Sequence, residues 1–177
     1  MTRLLAPVLA LLLAGCAGQV YSAATDDRKL SDQGADARIC SSIRSSLLAK
    51  ESGSLTVLDV FCHNQLVVLV GALPPNYKLA VDAVAVAKAT SGVKRVETYY
   101  VAKPAQDTGD TGIALKVKAK LIADTSMTTA GTDLTVVAGN VVLVGVVEDR
   151  AKADKIVAHA RSVEGVKSVK SFLQVKQ

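Results

Sequence analysis

The side chains that most often carry out chemistry in proteins are scarce in this chain. It holds three Cys, two His and no Trp among its 177 residues. His63 and His159 stand far apart, and neither lies near a Cys or a carboxylate at the spacing of a zinc site. Gly-rich phosphate loops, nucleophile elbows and Cys-x-x-Cys pairs do not occur. We therefore expect no catalytic residue, no metal site and no cofactor.

Composition and charge indicate a folded protein with a mild preference for anionic surfaces. Half of the residues are apolar, 3% are aromatic and the formal net charge is +5. This excess is small and spread along the chain, so we expect no nucleic-acid partner. The paired carboxylates Glu148-Asp149 precede a predicted helix, and they are better suited to its N-terminus and dipole than to acid-base chemistry.

The third Cys ends an N-terminal leader. Residues 1–16 combine Arg3, an apolar run and small residues before Cys16, which is the order of a secretory signal peptide. The run is shorter than the 20 or so apolar residues that cross a bilayer. The tetrad ending in Cys16 resembles the bacterial lipobox, whose Cys is lipidated and becomes the first mature residue. An ordinary signal peptide that happens to contain a Cys is the alternative.

The lipobox resemblance implies a membrane anchor. Acyl chains such as palmitate on Cys16 would hold the protein on a membrane without spanning it. In lipoproteins an Asp after the Cys often retains the protein in the inner membrane, whereas Ala17 stands here. The resemblance therefore implies a lipid-anchored location on the periplasmic face of the outer membrane. Residues 17–30 are small and polar, and they are predicted to form a flexible tether.

An internal repeat indicates two copies of one module. The segment 67–71 recurs at 141–145, and the segment 92–96 recurs at 165–169, at offsets of 74 and 73 residues. A stretch rich in Pro, Gly and Asp separates the copies. We assign residues 31–102 to the first module, 103–110 to a linker and 111–177 to the second module.

Each module shows the same order of local patterns. Apolar residues at helical spacing come first, then a strand pair around a short turn, a second helix and a third strand. In the first module the strand pair is predicted at 55–63 and 66–71. The order is thus αββαβ, and the fold class is α+β. Because crossovers between parallel strands are right-handed, we expect a three-stranded mixed sheet with both helices on one face.

This order resembles a known family. A hairpin ending V-x-L-x-G followed by a helix ending G-V-x-x-V is similar to the BON domain, and a lipobox before two such domains resembles the DolP-type outer-membrane lipoproteins. The resemblance implies that the opening helix of the second module docks on anionic phospholipid. No Trp is available, and Gly112 precedes the core stripe of this helix. The candidate docking residues there are Leu115, Lys116, Lys118, Lys120 and Ile122.

Cys40 and Cys62 are expected to form a disulfide. Alternation along the hairpin places Cys62 on its apolar face, and Cys40 lies on the apolar stripe of the first helix. The equivalent positions of the second module are Ala114 and Val136, so both thiols are present in one copy and absent from the other. An oxidising periplasm favours such a bond. Two free buried thiols are the alternative.

Two functional hypotheses follow. The first is a non-enzymatic envelope lipoprotein that binds anionic phospholipid through its second module and supports outer-membrane integrity. The second is an envelope protein-protein interaction module whose lipid anchor only sets its location. Leu66, Val68 and Val70 point away from the predicted core and would form an apolar patch for a protein partner. Packing of that patch against the other module is the simpler interpretation.

Overall fold

The computed structural model describes Asp26, residues 28–124 and residues 130–176. The leader, Cys16 and most of the predicted tether lie outside these residues. In the first module, α1 (Leu30–Lys50) is followed by β1 (Leu58–His63), β2 (Leu66–Gly71), α2 (Lys78–Ala89) and β3 (Arg95–Tyr100). The second module repeats this order with α3 (Asp110–Ala123), β4 (Thr132–Val137), β5 (Asn140–Val147), α4 (Arg150–Arg161) and β6 (Ser168–Val175).

The αββαβ order and the mixed sheets are confirmed. The first sheet has the order β1-β2-β3 and the second β4-β5-β6. In each, the first pair is antiparallel and the second is parallel, with Val67 opposite Val96 and Val141 opposite Val169. β1 starts later than predicted, because Ser54–Thr56 form a 3-10 turn and β2 ends at Gly71, which pairs with Leu58.

One face of each sheet carries both helices of its module. The core of the first module joins the α1 stripe to Val60, Val67 and Leu69, together with small residues of α2. The core of the second joins the α3 stripe to Val141, Leu143 and α4. Small Ala residues on α2 and α4 let these helices approach their sheets closely, and Ala83 and Ala160 are fully buried.

Tight turns with positive φ close the two hairpins. Asn64 and Gln65 have φ of 49° and 63°, and Ala138 and Gly139 have φ of 53° and 80°. Two-residue turns of this kind match the right-handed twist of the strands they join. The register is consequently fixed at both hairpins, which keeps each apolar face turned toward its helices.

The opposite faces of the two sheets pack against each other. Leu66, Val68 and Val70 meet Val142 and Val144 in a third apolar cluster, and all five are at most 2% exposed. The apolar patch considered for a protein partner is therefore closed by the second module. Each sheet is covered by its own helices on one side and by the other sheet on the other.

Polar contacts join the modules along the rim of this apolar cluster. His63 Nε2 lies 2.8 Å from Asp133 Oδ2. Thr135 Oγ1 donates to Asp59 Oδ2 at 2.8 Å, and Gln174 Nε2 donates to the carbonyl of His63 at 3.0 Å. Each of these contacts links residues 70 or more positions apart. The two sheets thus pack into one sandwich, and the modules are not independent of each other.

The end of the segment assigned to a flexible tether is held at the seam between the modules. The Arg28 guanidinium lies 2.6 Å from both Asp26 Oδ2 and Asp36 Oδ2, and its side chain is 11% exposed. On the other side, a Cβ added to Gly131 would come within 2.6 Å of Asp26 Oδ1. These two residues of the predicted tether are thus held to Asp36 of the first module by the ion pairs of Arg28, and Asp26 also lies beside Gly131 of the second module.

Candidate membrane-docking face

The position of α3 is set by its first residue. The Asp110 carboxylate accepts the backbone N–H groups of Ala138 and Gly139 at 2.8 and 2.7 Å, which ties the start of the helix to the β4–β5 turn. Asp36 does the same for Asn64 and Gln65 at the start of the first module. In both turns the two successive N–H groups belong to residues with positive φ, and such groups form a concavity that binds anions. The helix is thereby held at a defined height on its sheet.

The buried stripe of α3 orients the rest of the helix. Ile113, Val117 and Leu121 are 7%, 0% and 4% exposed and pack into the second core. Residues on the opposite side must therefore face outward. Leu115 and Ile122 are 63% and 71% exposed, which is unusual for such large aliphatic side chains. Both predicted aliphatic residues thus lie on the surface.

The five predicted docking residues separate into two rows. Leu115, Lys118 and Ile122 are spaced by three and four positions and share one face, where Ala119 fills the gap. We call these four residues the docking ridge. Lys116 and Lys120 lie four positions apart on the neighbouring row. Lys118 is therefore the cation that the structure places among the two aliphatic side chains, and Ala119 is a member that sequence reasoning missed.

The three lysines of α3 differ in whether an acidic side chain lies near their ammonium group. Lys116 Nζ lies 3.8 Å from Glu164 Oε2, and both side chains are well exposed, so this ion pair is weak. Among the described residues, Lys118 and Lys120 form no ion pair. The cation on the docking ridge is thus free to meet an anionic surface.

A shallow groove runs beside the C-terminal end of the docking ridge. Its volume is about 230 Å³, and Lys118, Ile122, Thr132 and Leu134 line it. The Thr132 hydroxyl oxygen is buried and has no hydrogen-bond partner among the described residues. The residues contributed by β4 could not be inferred from sequence, because nothing in the α3 pattern indicates which strand edge lies next to it.

The first module provides an internal comparison for the docking ridge. With Asp36 equivalent to Asp110, the residues at the positions of Leu115 and Ala119 are Ser41 and Ser45, and Leu48, 44% exposed, stands at the position of Ile122. The equivalent of Lys118 is Arg44, whose guanidinium donates to the carbonyl of Val60 at 2.6 Å instead of projecting outward. This face of α1 therefore carries one exposed aliphatic residue and no free central cation, whereas α3 carries two such residues around a free Lys.

Cys40 and Cys62 are joined by a disulfide between α1 and β1. Their Cα atoms are 5.8 Å apart, and both residues belong to the buried core of the first module. The bond agrees with the expected pairing. Cys16, the predicted lipid-anchor residue, lies outside the described residues.

The two His side chains make structural contacts that the sequence did not indicate. His63 is 3% exposed and meets Asp133 across the seam, while His159 Nε2 lies 2.9 Å from Asp124 Oδ2. Asp124 also pairs with Lys155 Nζ at 2.7 Å. Within residues 28–124 and 130–176, no group of three or more His, Cys, Asp or Glu side chains is arranged to hold a metal ion.

No helix in the described part of the chain is both long enough and apolar enough to span a membrane. The longest, α1, has 21 residues, but Asp, Arg and Ser interrupt its sequence.

The repeated αββαβ fold agrees with the comparison with known families. The chain belongs to the BON-domain family, whose sequence model matches residues 35–101 and again residues 109–177. Osmotically-inducible protein Y of Escherichia coli (strain K12) is 30% identical over 147 residues, which cover 80% of this chain and 73% of that protein. The identity extends over both modules.

Two solved structures of CdsD, a structural protein of the type III secretion system of Chlamydia trachomatis, also match. They are 14% and 13% identical, and their TM-scores are 0.33 and 0.34. The matches cover 80% and 77% of this chain and 67% and 62% of those chains. Scores this low add nothing to the assignment of fold or function.

Proposed function

We propose that this protein is a non-enzymatic envelope lipoprotein, anchored to the outer membrane through Cys16, that docks on anionic phospholipid through the second BON module. The observation that carries the proposal is the docking ridge. It combines two large exposed aliphatic side chains with a free central Lys, whereas the first module has Ser41 at the position of Leu115 and a bonded Arg44 at the position of Lys118. A helix that lies in a lipid interface needs this combination of apolar and cationic groups.

The free energies that such residues contribute indicate that the docking ridge assists a lipid anchor and does not hold the protein on the membrane alone. Each Lys close to an anionic leaflet contributes about 1 kcal/mol, and full burial of a Leu or Ile side chain contributes about 1.5–3 kcal/mol. Such a ridge would bind weakly by itself. Beside a lipidated Cys16 it would add to an attachment that already keeps the module near the surface.

The point at which the chain enters the fold is compatible with this arrangement. Asp26 lies beside Gly131, the neighbour of Thr132, and Thr132 lines the same groove as Ile122 and Lys118. Nine residues separate Cys16 from Asp26, and nine extended residues reach about 30 Å. The C-terminal end of the docking ridge is thus within reach of a bilayer that holds Cys16.

Envelope location is supported by two further features. The leader has the order of a secretory signal ending in a lipobox-like tetrad, and the first module contains a disulfide. Disulfides persist in the periplasm and are rare in the cytoplasm. A supporting role in outer-membrane integrity is consistent with an anchored module that binds the leaflet surface.

Flotation with liposomes tests the docking step. A chain of residues 17–177, which contains all described elements, should float with vesicles of phosphatidylglycerol and phosphatidylcholine but not with phosphatidylcholine alone. Salt should weaken binding, because exposed charges are screened over about 8 Å at physiological ionic strength. The triple variant Lys116→Glu, Lys118→Glu, Lys120→Glu should lose binding, since its charge at the ridge is reversed while the buried stripe is unchanged.

Matched variants locate the effect on the docking ridge. Lys118→Glu alone should weaken flotation more than Lys116→Glu, and Leu115→Ser with Ile122→Ser should weaken it without changing charge. Arg38→Glu, Lys88→Glu and Lys103→Glu together change the net charge as much as the triple variant but lie in or next to the first module, so they should float like wild type. If wild type ignores anionic vesicles at low salt, docking is refuted and the protein-interaction hypothesis takes its place.

The anchor has a separate test. Cys16→Ser should release the protein from washed membranes, because no described helix can insert in its place. Retention of that variant in the membrane fraction would refute the lipoprotein assignment while leaving the docking ridge to be judged by flotation.

A further inference from the structure

A cleft opens at the seam where the two modules meet. Its volume is about 420 Å³. The first module contributes Lys29, Gln65 and Lys94, and the second contributes Gln174 and Lys176. The cleft therefore exists only when the modules are packed together, and it is formed by chain segments that are distant in sequence.

Three ammonium groups face this cleft without a neutralising partner. Lys29, Lys94 and Lys176 are exposed, and none of them forms an ion pair among the described residues. Arg28 also lines the cleft, but Asp26 and Asp36 neutralise it. Asp32 is the acidic residue on the lining, and the hydroxyl of Ser31 lies 3.5 Å from its carboxylate. The side chains that line the cleft thus leave an excess of positive charge there.

Comparison with the second module shows that Lys94 is unusual. Its equivalent, Lys167, folds back onto its own turn and donates from Nζ to the carbonyl of Ala138 at 3.1 Å. The backbone N–H groups of both residues make the same bond, to Gln65 and Gly139 respectively. Only the side chains differ, so the Lys94 ammonium remains available to a ligand in the cleft.

The residue that turns the first hairpin also points to a site. Gln65 has φ of 63°, a conformation that is unfavourable for a residue with a Cβ, and Gly139 occupies the equivalent position. Gly would relieve this strain at Gln65. Its side chain instead lines the cleft, where its amide can donate and accept hydrogen bonds.

A second cleft between the modules has a different charge balance. Two of its lining residues, Ala72 and Lys103, correspond to Val146 and Lys176, but it also contains the carboxylates of Asp59 and Asp110. The excess of unpaired cations is therefore found in the first of these two clefts.

We infer that the seam cleft binds a phosphate-bearing anion, supplied by a phospholipid headgroup or by a soluble phosphate compound. Three unpaired Lys residues on one lining favour a ligand with more than one negative charge, and Lys binds phosphate as a mobile point charge. The cleft is larger than one phosphate group, so it has room for a phosphate ester or a diphosphate. This site is separate from the docking ridge and does not depend on the proposed function.

Titration of the chain of residues 17–177 with sodium pyrophosphate tests the inference. Nuclear magnetic resonance should show saturable shifts of the backbone amides of Gln65, Lys94 and Lys176, and calorimetry should give the dissociation constant. Replacing Lys94 and Lys176 by Gln should weaken binding roughly tenfold or more, since two charge-assisted contacts are lost. Chloride at equal ionic strength should cause no localised shift.

Two further arms separate the sources of phosphate. Glycerol 3-phosphate represents a soluble ester, and monomeric dihexanoyl phosphatidic acid represents a lipid with the same headgroup. Equal affinity for the two assigns the site to a soluble phosphate, and preference for the second assigns it to a lipid. Either result supports the site.

Control variants make failure of this inference distinguishable from failure of docking. Lys103→Gln in the second cleft and Lys118→Gln on the docking ridge should leave pyrophosphate binding unchanged. Absence of saturable shifts at millimolar pyrophosphate would overturn the inference. So would unchanged binding by the Lys94, Lys176 double variant, or equal binding of citrate, which would show only a general attraction of anions.

Discussion

At the scale of single residues, Asp36 and Asp110 organise the modules. Each carboxylate accepts two N–H groups from the turn of its own hairpin, and each occupies the start of the first helix of its module. One side chain therefore fixes the distance between helix and hairpin. Asp36 differs from Asp110 because it also binds Arg28, which extends the contact to the N-terminal segment and, through Asp26, to the second module.

Removal of the disulfide should weaken the first module selectively. Cys40→Ala with Cys62→Val installs the residues found at the equivalent positions of the second module, so packing is preserved as well as the repeat allows. Closure of a 22-residue loop contributes about 3 kcal/mol. We expect the free energy of unfolding to fall by about that amount in urea titrations. Native-state hydrogen exchange should accelerate in β1 and β2 more than in β4 and β5.

Equal stability of wild type with and without reductant would contradict this prediction. The double variant provides the control for reduction, since reductant should leave its unfolding curve unchanged.

The ion pair at the seam should make stability sensitive to acid. Burial opposes ionisation of Asp26, but the hydrogen bonds and positive charge of Arg28 outweigh burial and lower the pKa of Asp26 below its ordinary value of 3.8. A carboxyl with a lowered pKa stabilises the fold above its unfolded pKa, and that stabilisation is lost as pH falls through the folded pKa. Asp26→Asn should lower the free energy of unfolding by about 2 kcal/mol at pH 7.

The effect of Asp26→Asn should shrink as pH falls below 3.8, because the carboxyl of the unfolded wild type then binds a proton, and it should be smallest once pH lies below the lowered pKa of the folded state. Urea titrations at pH 7 and pH 3 measure the two differences. Asp154→Asn breaks an exposed pair with Arg150 and should cost less than about 1 kcal/mol at either pH. A loss that is the same at both pH values for Asp26→Asn would disprove the role assigned to its charge.

At the scale of elements, α3 has two faces with different tasks. Its buried stripe fits the second core, and its docking ridge projects two aliphatic side chains into solvent. Helix spacing alone placed Leu115 and Ile122 on the surface, and the structure agrees. Spacing alone did not rank the lysines, because the pairing of Lys116 with Glu164 depends on where the loop after α4 lies.

An interfacial aromatic residue should strengthen the ridge. Gly112 is exposed at the start of α3, and a Cβ added there would meet nothing within 4 Å. Gly112→Trp should therefore be accommodated, and a Trp ring is suited to the boundary between headgroups and acyl chains. We expect tighter binding to anionic vesicles, measured by flotation and by a blue shift of Trp fluorescence, in a protein that otherwise contains no Trp.

Arg38→Trp is the matched control, because Arg38 occupies the equivalent position on α1. It should give little blue shift and no gain in flotation. Similar gains from both variants would mean that any exposed Trp suffices and that α3 has no special role.

At the scale of the whole molecule, the two sheets complete each other. The face of the first sheet that its helices leave open is covered by the second sheet, with Val68, Val142 and Val144 fully buried. This packing creates both the seam that holds Asp26 and the cleft that carries Lys94 and Lys176. Neither feature would exist in an isolated module.

Introducing a charge between the sheets should separate the modules. Val68→Lys places an ammonium in the apolar cluster, and burial of an unpaired charge costs several kcal/mol. Separation lets the Lys reach water while each module keeps its own helices. We expect a larger radius of gyration by small-angle X-ray scattering and loss of amide shifts upon addition of pyrophosphate.

Val81→Lys is the control, since Val81 is 56% exposed on α2 and should tolerate Lys. An unchanged radius of gyration for Val68→Lys would show that the sheets stay together without this contact. Circular dichroism separates undocking from general unfolding, because undocked modules should retain their helical signal.

Local patterns in the sequence were sufficient to derive the order of elements and the apolar face of each helix, and they favoured the pairing of Cys40 with Cys62 over two free thiols. Apolar residues recur every two positions in a strand and every three or four positions in a helix. Residues close together in the sequence are therefore enough to identify these elements and their apolar faces. The turn at Asn64-Gln65 then sets the register, and register decides which side chains share a face. The small polar residues of segment 17–30 predicted a tether, but their composition carries no information about the ion pairs that Asp26 and Arg28 form.

Only the tertiary structure decided how the modules meet. The contacts of His63 with Asp133 and of Asp59 with Thr135 join residues 70 and 76 positions apart. Periodicity carries no information about such pairs, because the relative orientation of two packed sheets depends on the shape of their whole surfaces. For that physical reason the sequence could favour packing of Leu66, Val68 and Val70 against the other module but could not indicate which residues meet them, and it could not indicate the charged cleft that this packing forms.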